Sequence, residues 1–341
     1  MVGFIKLMDA AVRERFIIFL GMEEQTRRMA GRARSRNAQL ALQISDELIE
    51  AGIGITLTNP ELSQFLSSRE YFACQLDGQR EVIEHACRAY FLNMHLNGGG
   101  SLENFTCIFS NKRSGDQSGV VALVGSMKYY VKTHQHGPTL SNPRSVARPD
   151  VKEVFIYTLL ELMGVGPRVH FILPIHGLEV TLYIATEETL FVHLNDLTEN
   201  TASITGLLEL DLIARILCLS DCTTNGSNCG QAAGNPVVVD FRIMEREDYG
   251  KSDIYNRFLR GNQEYNYTSL MLTAVSSSDA AKRSVAKGAL QKWCLNSNIT
   301  LAEKRSLDVM SSLHSNRSEE DLTRYIRGLR KTLNHLTSSI Q

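Results

Sequence analysis

A chain of 341 residues, 43% hydrophobic and 21% charged, carries enough apolar material for a core of ordinary size, which excludes a disordered tail or a fibre and points to about two domains or one two-lobed domain. Its 36 Lys+Arg against 37 Asp+Glu leave a formal net charge of −1, so composition gives no ground for a global nucleic-acid or membrane binder. The longest apolar runs, such as Phe16 to Leu20 and Leu182 to Ala185, fall far short of the ~20 residues that a bilayer span needs. Lys6, Asp9, Arg13, Glu14 and Arg15 break up the start, so no signal peptide is expected. The cysteines (Cys74, Cys87, Cys107, Cys218, Cys222, Cys229 and Cys294) are scattered and odd in number, which suits reduced thiols and a cytoplasmic or nuclear protein.

In chain order, three regions are expected: 1–97, 98–195 and 196–341. From about residue 5 to 95, apolar residues recur at three and four, as in Leu40, Ile44, Leu48 and in Val82, Ile83, Ala86, Tyr90, which predicts helices punctuated by Gly52, Gly54 and Pro60. From 102 to 195 short β-rich runs follow: Phe105 to Phe109, Val120 to Val124, Tyr129 to Thr133, Val169 to Leu173 and Val180 to Ala185, with one helix over about 150–163. After residue 203 helix returns, interrupted by a polar loop at 220–235 and a strand from Pro236 to Phe241, and the last hundred residues read as wholly helical.

Four features carry chemistry. Ser114-Gly-Asp-Gln-Ser-Gly119 lies between two expected strands, where Gly115 and Gly119 allow backbone N–H groups to approach a phosphate, although an ordinary hairpin turn has the same composition. Asn97-Gly-Gly-Gly100 reads as a second such loop or as a linker. Lys132 sits mid-strand with Tyr130 on its face and Val131 on the other, as a snorkelling lysine or as the partner of Glu153 at the start of the next helix, just after Pro149. The segment from Leu212 to Gly230 delivers Asp221, Asn225 and Asn228 on a polar loop, and an apolar strand then ends on Asp240; oxygen donors so placed suit a Mg-nucleotide, and equally suit Asx turns and caps.

Taken together, a strand lysine, a helix glutamate, an Asp…Asn loop and an apolar strand ending in Asp240-Phe241 resemble the protein-kinase-like superfamily, in particular its atypical branch of aminoglycoside and choline kinases and bacterial persistence-toxin kinases. The resemblance covers about residues 102–245. It implies an α+β, two-lobed fold with a small antiparallel sheet lobe holding one helix, a helical C-lobe with a catalytic-type loop at 219–242, and an N-terminal helical extension. It implies ATP and Mg²⁺ as cofactors, with Lys132 on the phosphates and paired with Glu153, Gly115 and Gly119 in the phosphate loop, and Ala185 on a strand whose backbone meets adenine. Asp221 would accept the substrate hydroxyl's proton, and Asn228 and Asp240 would hold the metal. Asn228 is chosen over Asn225 because it stands twelve residues before Asp240. The activity implied is an ATP/Mg-dependent phosphotransferase acting on a hydroxyl of a small molecule or protein. Cys218-Leu-Ser-Asp221 in place of a His-Arg-Asp string motivates the alternative of a pseudokinase-like scaffold that binds a protein partner without catalysis.

Other constellations are weaker. Cys218, Cys222 and Cys229 lack the paired spacing of a structural zinc site, and His134 and His136 have no third ligand nearby in sequence. Two basic stretches remain. Arg27 to Arg36 offers the one route to nucleic acid, whereas Arg324, Arg327, Arg330 and Lys331 share a stretch with the apolar stripe Ile326, Leu329, Leu333, Leu336 and read as the solvated face of a helix that starts near Ser318.

Overall fold

The computed structural model describes residues 72–112, 117–139, 147–173, 181–222, 225–244, 254–261, 268–313 and 318–340. The expected helices around Leu40 to Leu48, the Arg27–Arg36 cluster, Cys74's side chain and Gly115 lie outside what is described. Among the described residues the architecture is α+β, with eight α-helices and small sheets whose paired registers are antiparallel. None of these helices is long and apolar enough to cross a membrane. The chain divides into two units: residues up to Pro149 with Ile172–Ala185, and Asp150–Phe171 with Thr186–Gln341.

The first unit is built on helix α1 (Phe72–Asn97) and strands β1 (Cys107–Asn111), β2 (Gly119–Val124) and β3 (Met127–Thr133). These strands form an antiparallel meander, which β5 (Tyr183–Glu187) and β4 (Val169–Ile172) extend in the order β1-β2-β3-β5-β4; the unit boundary runs through β4 and β5. The pleat sorts the side chains. Val120, Ala122, Tyr129 and Val131 point to one face and pack on Ile83, Ala86, Cys87 and Phe91 of α1. Tyr130 is 41% exposed on the other face, where alternation also puts Lys132. Helix α1 ends at the glycine run: Gly98, Gly99 and Gly100 donate to the carbonyls of Met94, Leu96 and His95, with Gly99 at φ +84°. Asn97 to Gly100 is thus a helix stop leading into a short 3₁₀ turn at Leu102–Asn104. That turn delays the first strand by two residues from its expected start.

The second unit opens with α2 (Val151–Leu162), whose N-cap Asp150 accepts from the Lys152 N–H at 2.8 Å. Helix α3 (Ile204–Ile216), capped by Ser203 on the Gly206 N–H, is apolar almost all round and buried along most of its length. The polar side chains it does bury are paired: Arg215 Nε donates to Asp211 Oδ2 at 2.9 Å one turn away. Helices α4 (Ile254–Arg260), α5 (Ser269–Val275), α6 (Asp279–Trp293), α7 (Leu295–Ser311) and α8 (Ser318–Ile340) complete the unit. On α8, Ile326, Leu329, Leu333 and Leu336 are buried, Arg324, Arg327, Arg330 and Lys331 are exposed, and the Tyr325 hydroxyl donates to the Leu217 carbonyl at 2.8 Å.

The segment expected as one polar loop at 220–235 is instead a loop followed by a hairpin. Strand β8 (Cys229–Ala232) pairs antiparallel with β9 (Asn235–Val238) and with β6 (Val192–His193). The tight connection has Ala233 at φ +48° and Gly234 at φ +78°, both residues left-handed as a two-residue hairpin turn requires. Pro236 is tolerated because β9 is an edge strand, in the order β6-β8-β9. The last hundred residues are also not wholly helical, since β10 (Arg242–Ile243) returns to pair with β7 (Leu219–Ser220).

Candidate functional site

Asp221, Asn228 and Asp240 are separated along the chain and are brought together by two small sheets. Strand β7 ends at Ser220, and β10 begins opposite it, so Asp221 and the Asp240-Phe241 pair leave the same two-stranded ladder. The β8–β9 hairpin starts just after Asn228 and stops just before Asp240; the Asn228 carbonyl accepts from the N–H of Val239 (2.9 Å) and of Asp240 (3.3 Å), which closes the hairpin's base. The Asn228 amide then donates through Nδ2 to the Asp221 carbonyl at 2.8 Å. Asn228 thus joins the Asp221 carbonyl, through its side chain, to the Asp240 N–H, through its own carbonyl.

Asp221 has φ +63°, and Cys218 shortly before it has φ +52°. Two non-glycine residues in the left-handed region store strain of order 1–3 kcal/mol each, which persists where the surroundings dictate the conformation. Here they are dictated by the ladder on one side and by the Asn228 amide on the other. Asp221 Oδ2 lies 3.8 Å from Arg242 Nε in a partly exposed ion pair.

Residues 225–227 make their own bonds. Asn225 Oδ1 accepts from the Ser227 hydroxyl at 2.6 Å and from its N–H at 3.4 Å, a closed Asx turn. The His193 ring, through Nδ1, is 2.9 Å from the Ser227 carbonyl. A Cβ on Gly226 would run into the Asn195 side chain, which would have to shift to admit it. Asn225 is thus spent on its own turn, and Asn228 is the asparagine that stands beside both aspartates.

Asp240 is held from a second direction. Its Oδ1 accepts from the Phe241 N–H at 2.9 Å and from the Tyr157 hydroxyl at 3.3 Å, and the Tyr157 ring lies against Phe241 with centroids 4.5 Å apart. Tyr157 sits on α2 one turn beyond Glu153 and is 2% exposed. Beneath the loop, Cys229 Sγ donates to the Cys222 carbonyl and Cys222 is fully buried. A side-chain hydrogen bond with the Cys229 thiol that favours the protonated form, then burial, then the charges of Cys229, Asp240 and Asp221 push the Cys222 thiol well above its ordinary pKa, so it stays protonated.

The other expected site residues fall as follows. Glu153 is in the first turn of α2 and 1% exposed, in the second unit. Lys132, Gly119 and Ala185 belong to the first unit. Lys132 stands directly opposite Gly119 across the β2–β3 ladder, and a Cβ on Gly119 would strike the Val131 carbonyl, so this glycine is required by strand pairing. Ala185 is fully buried on β5 with its methyl in the core, which leaves only its backbone for any ligand. His134 is fully buried with neither ring nitrogen hydrogen-bonded, and burial, then the neighbouring His136 and Lys132, lower its pKa to about 4.

Among the described residues no group of three or more His, Cys, Asp or Glu side chains could hold a metal ion, so a cation here would take most of its ligands from phosphate and water. Asn228 has given its nitrogen to Asp221 and keeps an amide oxygen, Asp240 brings a carboxylate, and Mg²⁺ in nucleotide sites takes few protein ligands because phosphates and water supply the rest. Sequence reasoning missed Tyr157 and Arg242. Tyr157 carried a faint signal, four residues after Glu153 and so on its face of α2; Arg242 carried none, because the β7–β10 ladder that places it spans only two residues per strand. In comparisons with known proteins, no protein-family model, no curated protein and no solved structure matches the chain.

Proposed function

We propose that the protein is an ATP/Mg-dependent phosphotransferase of the protein-kinase-like, two-lobed type, acting on a hydroxyl group of a small molecule or protein. The observation that carries this reading is the convergence of Asp221, Asn228 and Asp240 through the Asn228–Asp221 and Asp240–Asn228 hydrogen bonds. Phosphoryl transfer asks a protein mainly to position groups and to offset charge, and this cluster offers one carboxylate for the acceptor hydroxyl and two oxygen donors for the metal. Asn228 and Asp240 would hold Mg²⁺, which when bound draws charge from the phosphate oxygens. The resemblance implies that Lys132 would supply a cation for the phosphates and that Glu153 would orient that lysine. Asp221 accepts the proton as the acceptor oxygen bonds to the γ-phosphorus and the bond to the bridging oxygen breaks, releasing ADP.

The test is ATP consumption against a panel of hydroxyl acceptors, with the wild type, Asp221→Ala and Lys132→Ala. Losing a positioned base costs on the order of 10²–10⁴-fold in rate. Turnover that Asp221→Ala leaves unchanged contradicts the assignment. The second reading, a pseudokinase-like scaffold that binds a protein partner without catalysis, is favoured by the Asp221–Arg242 ion pair, because it engages the carboxylate that would otherwise face the acceptor hydroxyl. Under it, no acceptor is phosphorylated, and Arg242→Ala does not start turnover.

A further inference from the structure

One polar contact at the cluster comes from outside the loop. Asp240 Oδ1 receives two donors, the Phe241 N–H at 2.9 Å and the Tyr157 hydroxyl at 3.3 Å, so the carboxylate's rotation is restricted with one oxygen already engaged. Tyr157 is in turn fixed. Its ring is buried against Phe241, the next residue of the same segment, and neighbouring α2 side chains are locked by Thr158 Oγ donating to the Val154 carbonyl and by the Phe155–Tyr325 edge contact. A buried tyrosine hydroxyl needs a partner, and this one donates to a carboxylate 83 residues away.

We propose that Tyr157 is a positioning residue for Asp240, orienting its carboxylate so that a divalent cation is bound without side-chain reorientation. The proposal rests on the Mg-nucleotide reading of Asn228 and Asp240. Hydrogen-bond partners behind metal ligands typically account for 10–100-fold in metal affinity, because they fix the ligand's orientation and basicity. Replacing tyrosine by phenylalanine removes only the hydroxyl and keeps the ring stack, so the fold is retained while the positioning is lost.

The experiment is a Mg²⁺ titration at fixed ATP, read as the melting temperature, on the wild type, Tyr157→Phe and Asp240→Ala, with Mg²⁺ alone as a control. The expected result is a half-maximal Mg²⁺ concentration raised by about 10-fold in Tyr157→Phe and no Mg-dependent shift in Asp240→Ala. An unchanged midpoint in Tyr157→Phe overturns the positioning role while leaving the metal site standing. A metal-free Tyr157→Phe that melts far below the wild type shows that the hydroxyl serves the fold, and overturns it too. A wild type with no Mg-dependent shift removes the metal reading itself and the role of Tyr157 with it.

Discussion

His134 presents a physical tension at a single residue, since a fully buried imidazole with neither nitrogen hydrogen-bonded is costly to keep. With a folded pKa of about 4 against an unfolded value of 6.5, the folded state holds it neutral; its contribution is complete above pH 6.5 and is lost as pH falls towards 4. The shift corresponds to about 3 kcal/mol. Melting curves at pH 7.5 and 5 should show the wild type losing more stability on acidification than His134→Leu, with the variant at least as stable at the higher pH. Parallel acid loss in both proteins contradicts this account of His134. The cysteines yield a second residue-scale prediction. Among those described, Cys294 is exposed and Cys87, Cys107, Cys218, Cys222 and Cys229 are buried, with burial also raising Cys87 and Cys107. A thiol reagent on the native protein should label Cys294 well ahead of these five, as peptide mapping would show; early labelling of Cys222 counts against the packed loop base.

At the scale of elements, glycines separate pairing from propensity. Gly119→Ala drives a methyl into the Val131 carbonyl across the β2–β3 ladder and should destabilise by about 1–3 kcal/mol. Gly288 lies exposed inside α6 with open space around its Cα, so Gly288→Ala should stabilise by about 0.5–1 kcal/mol. Chemical denaturation reads both, and equal effects of one sign would contradict the register. Much at this scale was legible in the sequence. The β2 and β3 strands and α2 fell within a residue or two of expectation, because alternation and 3.6-residue periodicity are driven by large buried faces. Strand β8 was not legible: Cys229-Gly-Gln-Ala232 has no β-branched residue, and Gly230 is there because a Cβ would meet the Val192 carbonyl of β6. Ladders of two residues, such as β7–β10, leave no periodic trace at all. The candidate site shows the same split. The residue types of Asp221, Asn228 and Asp240 stood out and spacing favoured Asn228 over Asn225, whereas the bond from the Asn228 amide to the Asp221 carbonyl, formed while Asn225 closes its own Asx turn, had no signal in the sequence.

For the whole molecule, the sequence's alternation of helical, β-rich and helical regions corresponds to an α+β chain, and the helix after β3 is counted with the second unit rather than with the sheet. In the second unit, α3 and the β8–β9 hairpin bring the Asp221 carbonyl, Asn228 and the Asp240 N–H into one hydrogen-bonded cluster. The central claim is that this place binds a Mg-nucleotide. Isothermal titration calorimetry of ATP into the wild type and Asp240→Ala, with and without Mg²⁺, tests it directly. The account predicts Mg-dependent binding to the wild type that Asp240→Ala abolishes or weakens by at least about 10-fold. Absence of binding to the wild type at millimolar ATP with Mg²⁺, or equal binding to both proteins, would contradict it.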